Sequence, residues 1–160
     1  MSCADPALVE LIGRLISDKA TTGRPPVIAI VGAQGSGKTT LAREAAEAFG
    51  AARISIDDVY LTRARREAMA EDVHPLFLTR GPPGTHDLRM LTRLIKSLST
   101  ARPDDRVLIP EFDKRGDDRR PIRDWRIFSG RPRAILIDAW CLGAVAEDEA
   151  SLAKPVNALE

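Results

Sequence analysis

Eight consecutive residues, Gly32-Ala33-Gln34-Gly35-Ser36-Gly37-Lys38-Thr39, constrain the fold of this chain more than any other segment. They fit the pattern G-x-x-x-x-G-K-[ST] at every fixed position. Before them runs Val27-Ile28-Ala29-Ile30-Val31, a continuous, mostly β-branched apolar stretch of the kind that forms a strand buried on both faces of a parallel sheet. After them Leu41, Ala45, Ala48 and Phe49 continue at helical spacing as far as Gly50, a residue suited to a helix C-cap. The motif has physical meaning in that setting. Its glycines let the backbone fold round an anion with several N–H groups turned inward. The helix that follows adds the positive end of its dipole. Lys38 can reach the β- and γ-phosphates of a nucleotide, and the Thr39 hydroxyl can join a magnesium shell bridging them. The expectation is that Gly32 to Thr39, with Thr40 alongside, binds ATP together with Mg2+.

The rest of the chain alternates between strand-like and helix-like patterns. A first helix should begin at Asp5, with Pro6 in its first turn and Leu8, Leu11, Ile12, Leu15 and Ile16 on one face. Gly23-Arg24-Pro25-Pro26 ends it. Arg53-Ile54-Ser55-Ile56 reads as a second strand and Leu61 to about Ala70 as a polar helix. The segment from Val73 to Thr85, with Gly81-Pro82-Pro83-Gly84, must be irregular. Asp87 opens an amphipathic helix with Leu88, Leu91, Leu94, Ile95 and Leu98 inward. Val107-Leu108-Ile109 is a third strand, either of the main sheet or of a small excursion, Asp113 to Asp124 a charged loop without apolar periodicity, and Ala134 to Asp138 the last clear strand. This alternation predicts an α/β domain, a parallel sheet of the phosphate-loop NTPase type flanked by helices, occupying residues 1–160 as one unit.

Charge narrows the function. Lys plus Arg number 24 and Asp plus Glu 23, giving a net charge of +1. That balance argues against a nucleic-acid or membrane surface driven by charge and leaves a small molecule as the expected partner. Cys3 and Cys141 are the only cysteines, with no metal-ligand spacing and no disulfide framework, so reduced thiols in the cytoplasm are the default. Oligomeric state is not legible.

Two acidic positions stand where chemistry is expected. Asp57 and Asp58 follow a predicted strand, the end at which open parallel sheets bind ligands. A carboxylate there could take the proton from an attacking hydroxyl, or simply cap the next helix. Asp138 ends an apolar strand, the place of an acid that contacts magnesium, directly or through water. The mixed run with Lys114, Arg115, Arg119, Arg120 and Arg123 reads as a solvated loop or a segment that closes over an anion.

Together these segments carry a family resemblance. The loop followed by Ser55-Ile56-Asp57-Asp58-Val59-Tyr60-Leu61-Thr62 resembles small-molecule kinases such as uridine kinase, phosphoribulokinase and pantothenate kinase. Arg80-Gly81-Pro82-Pro83-Gly84-Thr85-His86-Asp87, Ile109-Pro110-Glu111-Phe112-Asp113-Lys114 and Ile137-Asp138-Ala139-Trp140-Cys141-Leu142-Gly143 narrow the likeness to the D-glycerate 3-kinase branch, over residues 27–143. The resemblance implies transfer of the γ-phosphate of ATP to a hydroxyl of a small hydroxy acid, D-glycerate foremost. It implies Asp57 and Lys38 as catalytic residues, with Thr39 and Asp138 at the metal. Asp58, Tyr60, His86, Asp87, Asp113 and Lys114 would build the acceptor pocket, and Arg80 and Arg123 could grip a carboxylate bidentately. Where the family commonly has Glu-Gly this chain has Asp138-Ala139, which favours a water-mediated metal contact.

Relatives in this family continue past the acidic strand, so the chain is expected to lack the C-terminal part of their fold, and Val156 and Leu159 to have no following element against which to pack. Two other functions remain open at this point: a kinase for another acceptor (a nucleoside, pantothenate or a sugar phosphate), and an ATP-binding module with little transfer activity. A switch GTPase is disfavoured, because no Asn-Lys-x-Asp-like segment is present to read guanine.

Overall fold

The computed structural model describes residues 4–19 and 23–153. Cys3 and the segment with Val156 and Leu159 lie outside the described residues. The chain folds as α1 (Pro6–Lys19), β1 (Val27–Val31), α2 (Lys38–Phe49), β2 (Ala52–Ser55), α3 (Arg63–Asp72), α4 (Leu88–Ser99), β3 (Arg106–Ile109), β4 (Phe112–Asp113), β5 (Asp118–Arg119), β6 (Arg126–Ser129), β7 (Ile135–Ala139) and α5 (Glu149–Leu152). No helix among the described residues is long and apolar enough to cross a membrane.

The central sheet has three parallel strands in the order β1-β7-β2. β7 is the last of them in sequence and the middle one in space, and all five of its residues are buried. It pairs Ile30 with Asp138 on one side and Ser55 with Asp138 on the other. Side chains alternate along it. Ile135, Ile137 and Ala139 enter one apolar cluster with Ile54, Leu91, Leu94 and Leu98, which places α4 on that face. Leu136 enters a second cluster with Ile12, Ile16, Ala45 and Ala51, which places α1 and α2 on the other. Asp138 shares the second face, at the carboxyl end of the sheet.

Caps set the helix ends. The Asp5 carboxylate accepts from the Ala7 backbone N–H at the start of α1. The Asp87 carboxylate accepts from the Met90 N–H at the start of α4. Gly50 closes α2 in the left-handed conformation, donating its N–H to the Ala46 carbonyl.

Three expectations need correction. β1 is the edge of the described sheet rather than a strand covered on both sides, and Val27 and Val31 are 49% and 50% exposed. Its neighbour β7 takes the doubly covered position instead. The apolar face of α1 is only half used, because the helix is rolled so that Ile12 and Ile16 reach the core while Leu8, Leu11 and Leu15 stay exposed. Asp113 to Asp124 is not simply a loop. It contains the two-residue hairpin β4–β5, and β6 follows to pair antiparallel with β3. β3 pairs with β6 in a separate two-stranded sheet, the small excursion that its sequence allowed.

The roll of α1 makes a test. Ile16→Ala, which empties a packed site, should cost about 2–5 kcal/mol, whereas Leu11→Ala should cost less than about 1 kcal/mol. Urea unfolding of the two variants checks this, and equal losses would show that both faces of α1 are covered.

Candidate functional site

The loop from Gly32 to Thr39 crosses from the carboxyl end of β1 into α2. Gly35 and Gly37 have φ of 76° and 86°, values at which a side chain is strained, so these two glycines make the curl of the loop possible. No side chain caps the α2 N-terminus at Gly37, which leaves its first-turn N–H groups to an anion. The Lys38 ammonium is turned back on the Ala33 carbonyl of its own loop.

Asp138 lies one strand away. Its Oδ2 accepts from the Thr39 hydroxyl at 3.0 Å and from the Ser55 hydroxyl at 3.2 Å. Its Oδ1 is buried and has no hydrogen-bond donor among the described residues, although an Arg53 guanidinium nitrogen lies 3.7 Å away. A buried, half-satisfied carboxylate beside a hydroxyl is a donor set that suits magnesium, which keeps most of its waters and takes only one or two protein oxygens besides phosphate. The residues present therefore fit the metal.

Asp57 sits in a short 3-10 turn, Ile56–Val59, that follows β2. It faces the same cleft. A cavity of about 350 Å3 is lined by Gln34, Gly35, Lys38, Thr39, Ser55, Asp57, Lys114, Asp138 and Trp140, among others. The Lys114 ammonium is 2.6 Å from Asp57 Oδ2. Ser55 and Trp140 are the additions sequence reasoning did not place in the site. The signal for Ser55 was the alternation Arg53-Ile54-Ser55-Ile56, which sets Ser55 on the face of Asp138.

The other expected residues are placed differently. Asp58 is half-buried behind the turn, where it accepts from the Phe112 N–H and pairs with Arg126. Burial pushes its carboxyl above the usual range, and the Phe112 N–H and Arg126 pull it back in part. Asp87 is occupied by its cap and by ion pairs with Arg65 and Arg119. Asp113 accepts from the Arg115 and Gly116 N–H groups inside the β4–β5 turn, which holds its carboxyl below the usual range. Arg80 pairs with Asp117 and lies over the Phe112 ring. Arg123 is 82% exposed and pairs with its neighbour Asp124, outside the cavity lining.

Tyr60 stacks on His86 with ring centroids 4.2 Å apart, and Trp140 lies 6.4 Å from His86. Tyr60 and His86 thus back the cleft wall that Trp140 lines. His86 Nε2 is buried with no partner among the described residues. A second cavity of about 500 Å3 opens on the other side of the loop, between Leu8, Ile30, Val31, Leu41 and the loop backbone.

Known proteins are similar to this chain in sequence and fold. A family model described as an AAA domain matches residues 27–103. An uncharacterized kinase of Schizosaccharomyces pombe, mug58, is 31% identical over 137 residues, covering 76% of this chain and 48% of that relative. The solved YGR205w protein superposes with a TM-score of 0.74 at 26% identity, over 94% of this chain and 59% of that one. D-Glycerate 3-kinase from Cryptococcus neoformans var. grubii gives 0.74 at 25% identity, over 92% and 57%. A possible uridine kinase from Bacillus stearothermophilus shares the fold, with a TM-score of 0.56 at 19% identity. The chain is similar to D-glycerate 3-kinase-like phosphate-loop kinases. It spans about half the length of the curated relative it matches.

His86 offers a test of this wall. Burial lowers the proton affinity of its imidazole, partly offset by the Asp57 carboxylate. A base held neutral in the fold stabilises it fully above the unfolded imidazole value of about 6.5. That stabilisation is lost as pH falls from there through the lower folded value, since the unfolded chain binds the proton more readily. Urea unfolding at about pH 7.5 and about pH 5.5 should show a loss in the parent chain that His86→Gln reduces. An equal loss in both would place the imidazole in water.

Proposed function

We propose, for a phosphate-loop kinase fold similar to D-glycerate 3-kinase, that this chain carries the transfer of the γ-phosphate of ATP to a hydroxyl of a small hydroxy acid, D-glycerate foremost. The observation that supports it best is that Asp57 shares one cleft with Lys38 and Thr39 and is paired there with Lys114.

The residues take distinct roles in this reading. The backbone from Gly32 to Thr40 cradles the phosphates, and Lys38 leaves the Ala33 carbonyl to neutralise charge on the β- and γ-groups. Thr39 and Asp138 would hold magnesium, with Ser55 orienting the carboxylate. When bound, the metal neutralises phosphate charge. Asp57 accepts the proton of the acceptor hydroxyl as its oxygen bonds to the γ-phosphorus. The bond from that phosphorus to the β–γ bridging oxygen breaks, and ADP leaves. Lys114 pairs with Asp57 and presents a positive charge to an acid acceptor. Trp140, backed by His86 and Tyr60, shields the cleft from water.

Asp57→Asn should leave ATP binding nearly intact and lower transfer by about two to four decades. Lys38→Ala should weaken ATP binding itself. The measurements are nucleotide binding by titration and ADP formation with a panel of D-glycerate, a nucleoside, pantothenate and a sugar phosphate. Acceptor-dependent ADP release with another member of the panel would change the substrate. Binding with no acceptor-dependent release would leave an ATP-binding module. Full activity in the Asp57 variant would remove that residue from the mechanism.

A further inference from the structure

Arg66 of α3 is 0% exposed, and no part of the chemistry above uses it. Burying a guanidinium costs several kcal/mol unless its hydrogen bonds are met. Here they are met by three separate segments. Nη1 donates to the Leu78 carbonyl at 2.6 Å and Nη2 to the Asp117 carbonyl at 2.6 Å. Nε points to the Leu61 carbonyl at 3.4 Å, just past the turn that carries Asp57. The Asp117 carboxylate closes the set, with Oδ2 at 3.0 Å from Nη2.

Asp117 is itself unusual. Its φ of 55° is the only positive value at a non-glycine among the described residues. Such a conformation persists where surrounding bonds dictate it. Oδ1 takes the Arg80 guanidinium at 2.5 Å, and the same Arg80 nitrogen donates to the Lys114 carbonyl at 3.2 Å. The neighbouring Asp118 carboxylate accepts from the Arg63 N–H at 2.9 Å. The turn between β4 and β5 is therefore gripped from behind along its backbone. At its front, Lys114 is 64% exposed and meets Asp57 at 2.6 Å. The turn's backbone sets the point from which that ammonium reaches Asp57.

We propose that Arg66, Asp117 and Arg80 form a positioning array that holds the β4–β5 turn so that Lys114 meets Asp57. Arg80 then acts on the acceptor through Lys114 rather than by gripping it. The proposal rests on the reading of Asp57 as the group that receives the acceptor proton, but its geometry concerns only the Lys114–Asp57 contact.

Arg66 variants are poor probes, since an unpaired buried partner set can prevent folding. Asp117→Asn keeps shape and tolerates the left-handed backbone, and Arg80→Gln changes a half-exposed residue. Both should retain cooperative thermal unfolding and an ATP KM within about twofold of the parent, while kcat/KM for the acceptor falls about tenfold or more. Combined with Lys114→Met, each should cause almost no further loss, because the array works through that lysine. Lysine ammonium NMR gives a readout without turnover. The Lys114 signal, identified by its absence in Lys114→Met, should be sharp in the parent and lost alike in Asp57→Asn, Asp117→Asn and Arg80→Gln. Additive losses with Lys114→Met, or a Lys114 signal unchanged in folded Asp117→Asn, would overturn the proposal. A parent chain that transfers no phosphate would sink the kinase reading, and the NMR result would still decide this one.

Discussion

The contact on which this site depends is the pair of hydroxyls, from Thr39 and Ser55, on the Asp138 carboxylate. It joins the start of α2, the end of β2 and the middle strand β7 at one point. A carboxylate buried between two strands is costly unless its oxygens are satisfied. Two donors settle one oxygen, and the other has no hydrogen-bond donor among the described residues and lies 3.7 Å from an Arg53 guanidinium nitrogen. The hydroxyls fix the loop's helix against the sheet and hold the carboxylate beside the loop.

The acceptor side has a different character. Most of its charged groups are consumed by the protein itself. Asp58 ties the turn after β2 to β4, and Asp87 and Arg119 hold α4 against the segment at Tyr60. What still faces the cavity is Asp57, Lys114 and the Trp140 ring. With Lys38 and Asp138, the same cavity carries two acids, two lysines and one aromatic surface.

How much of this was legible depended on how local each signal is. The phosphate loop is eight adjacent residues whose geometry follows from glycine, helix dipole and strand, so it could be read directly. Asp138 was legible because it ends an apolar run. The roll of α1 was not, since five apolar residues fill a wide stripe and only packing against Phe49 and the sheet chooses Ile12 and Ile16 from among them. β6 is four residues long and pairs with a strand well upstream, so its alternation was too brief to stand out. The fate of Asp58, Asp87 and Asp113 was hidden for a related reason. A carboxylate's partner lies elsewhere in the chain, and spacing says nothing about which N–H or guanidinium will claim it. Arg66 shows this most sharply, as one arginine in a polar helix whose four bonds reach three separate segments, one of them 51 residues downstream.

The order β1-β7-β2 has a kinetic consequence. The two strands on either side of the phosphate-loop helix do not touch one another, because the strand between them is the last to be made. Val27 finds its partner Ile135 only after about a hundred further residues have been added. Such long-range parallel pairing is slow, because loop closure must be completed before any contact rewards it. On a ribosome the loop would emerge early and remain unformed while most of the described chain followed. The nucleotide site is therefore a late product of folding, and a ligand that binds it would reward the final step rather than guide the first.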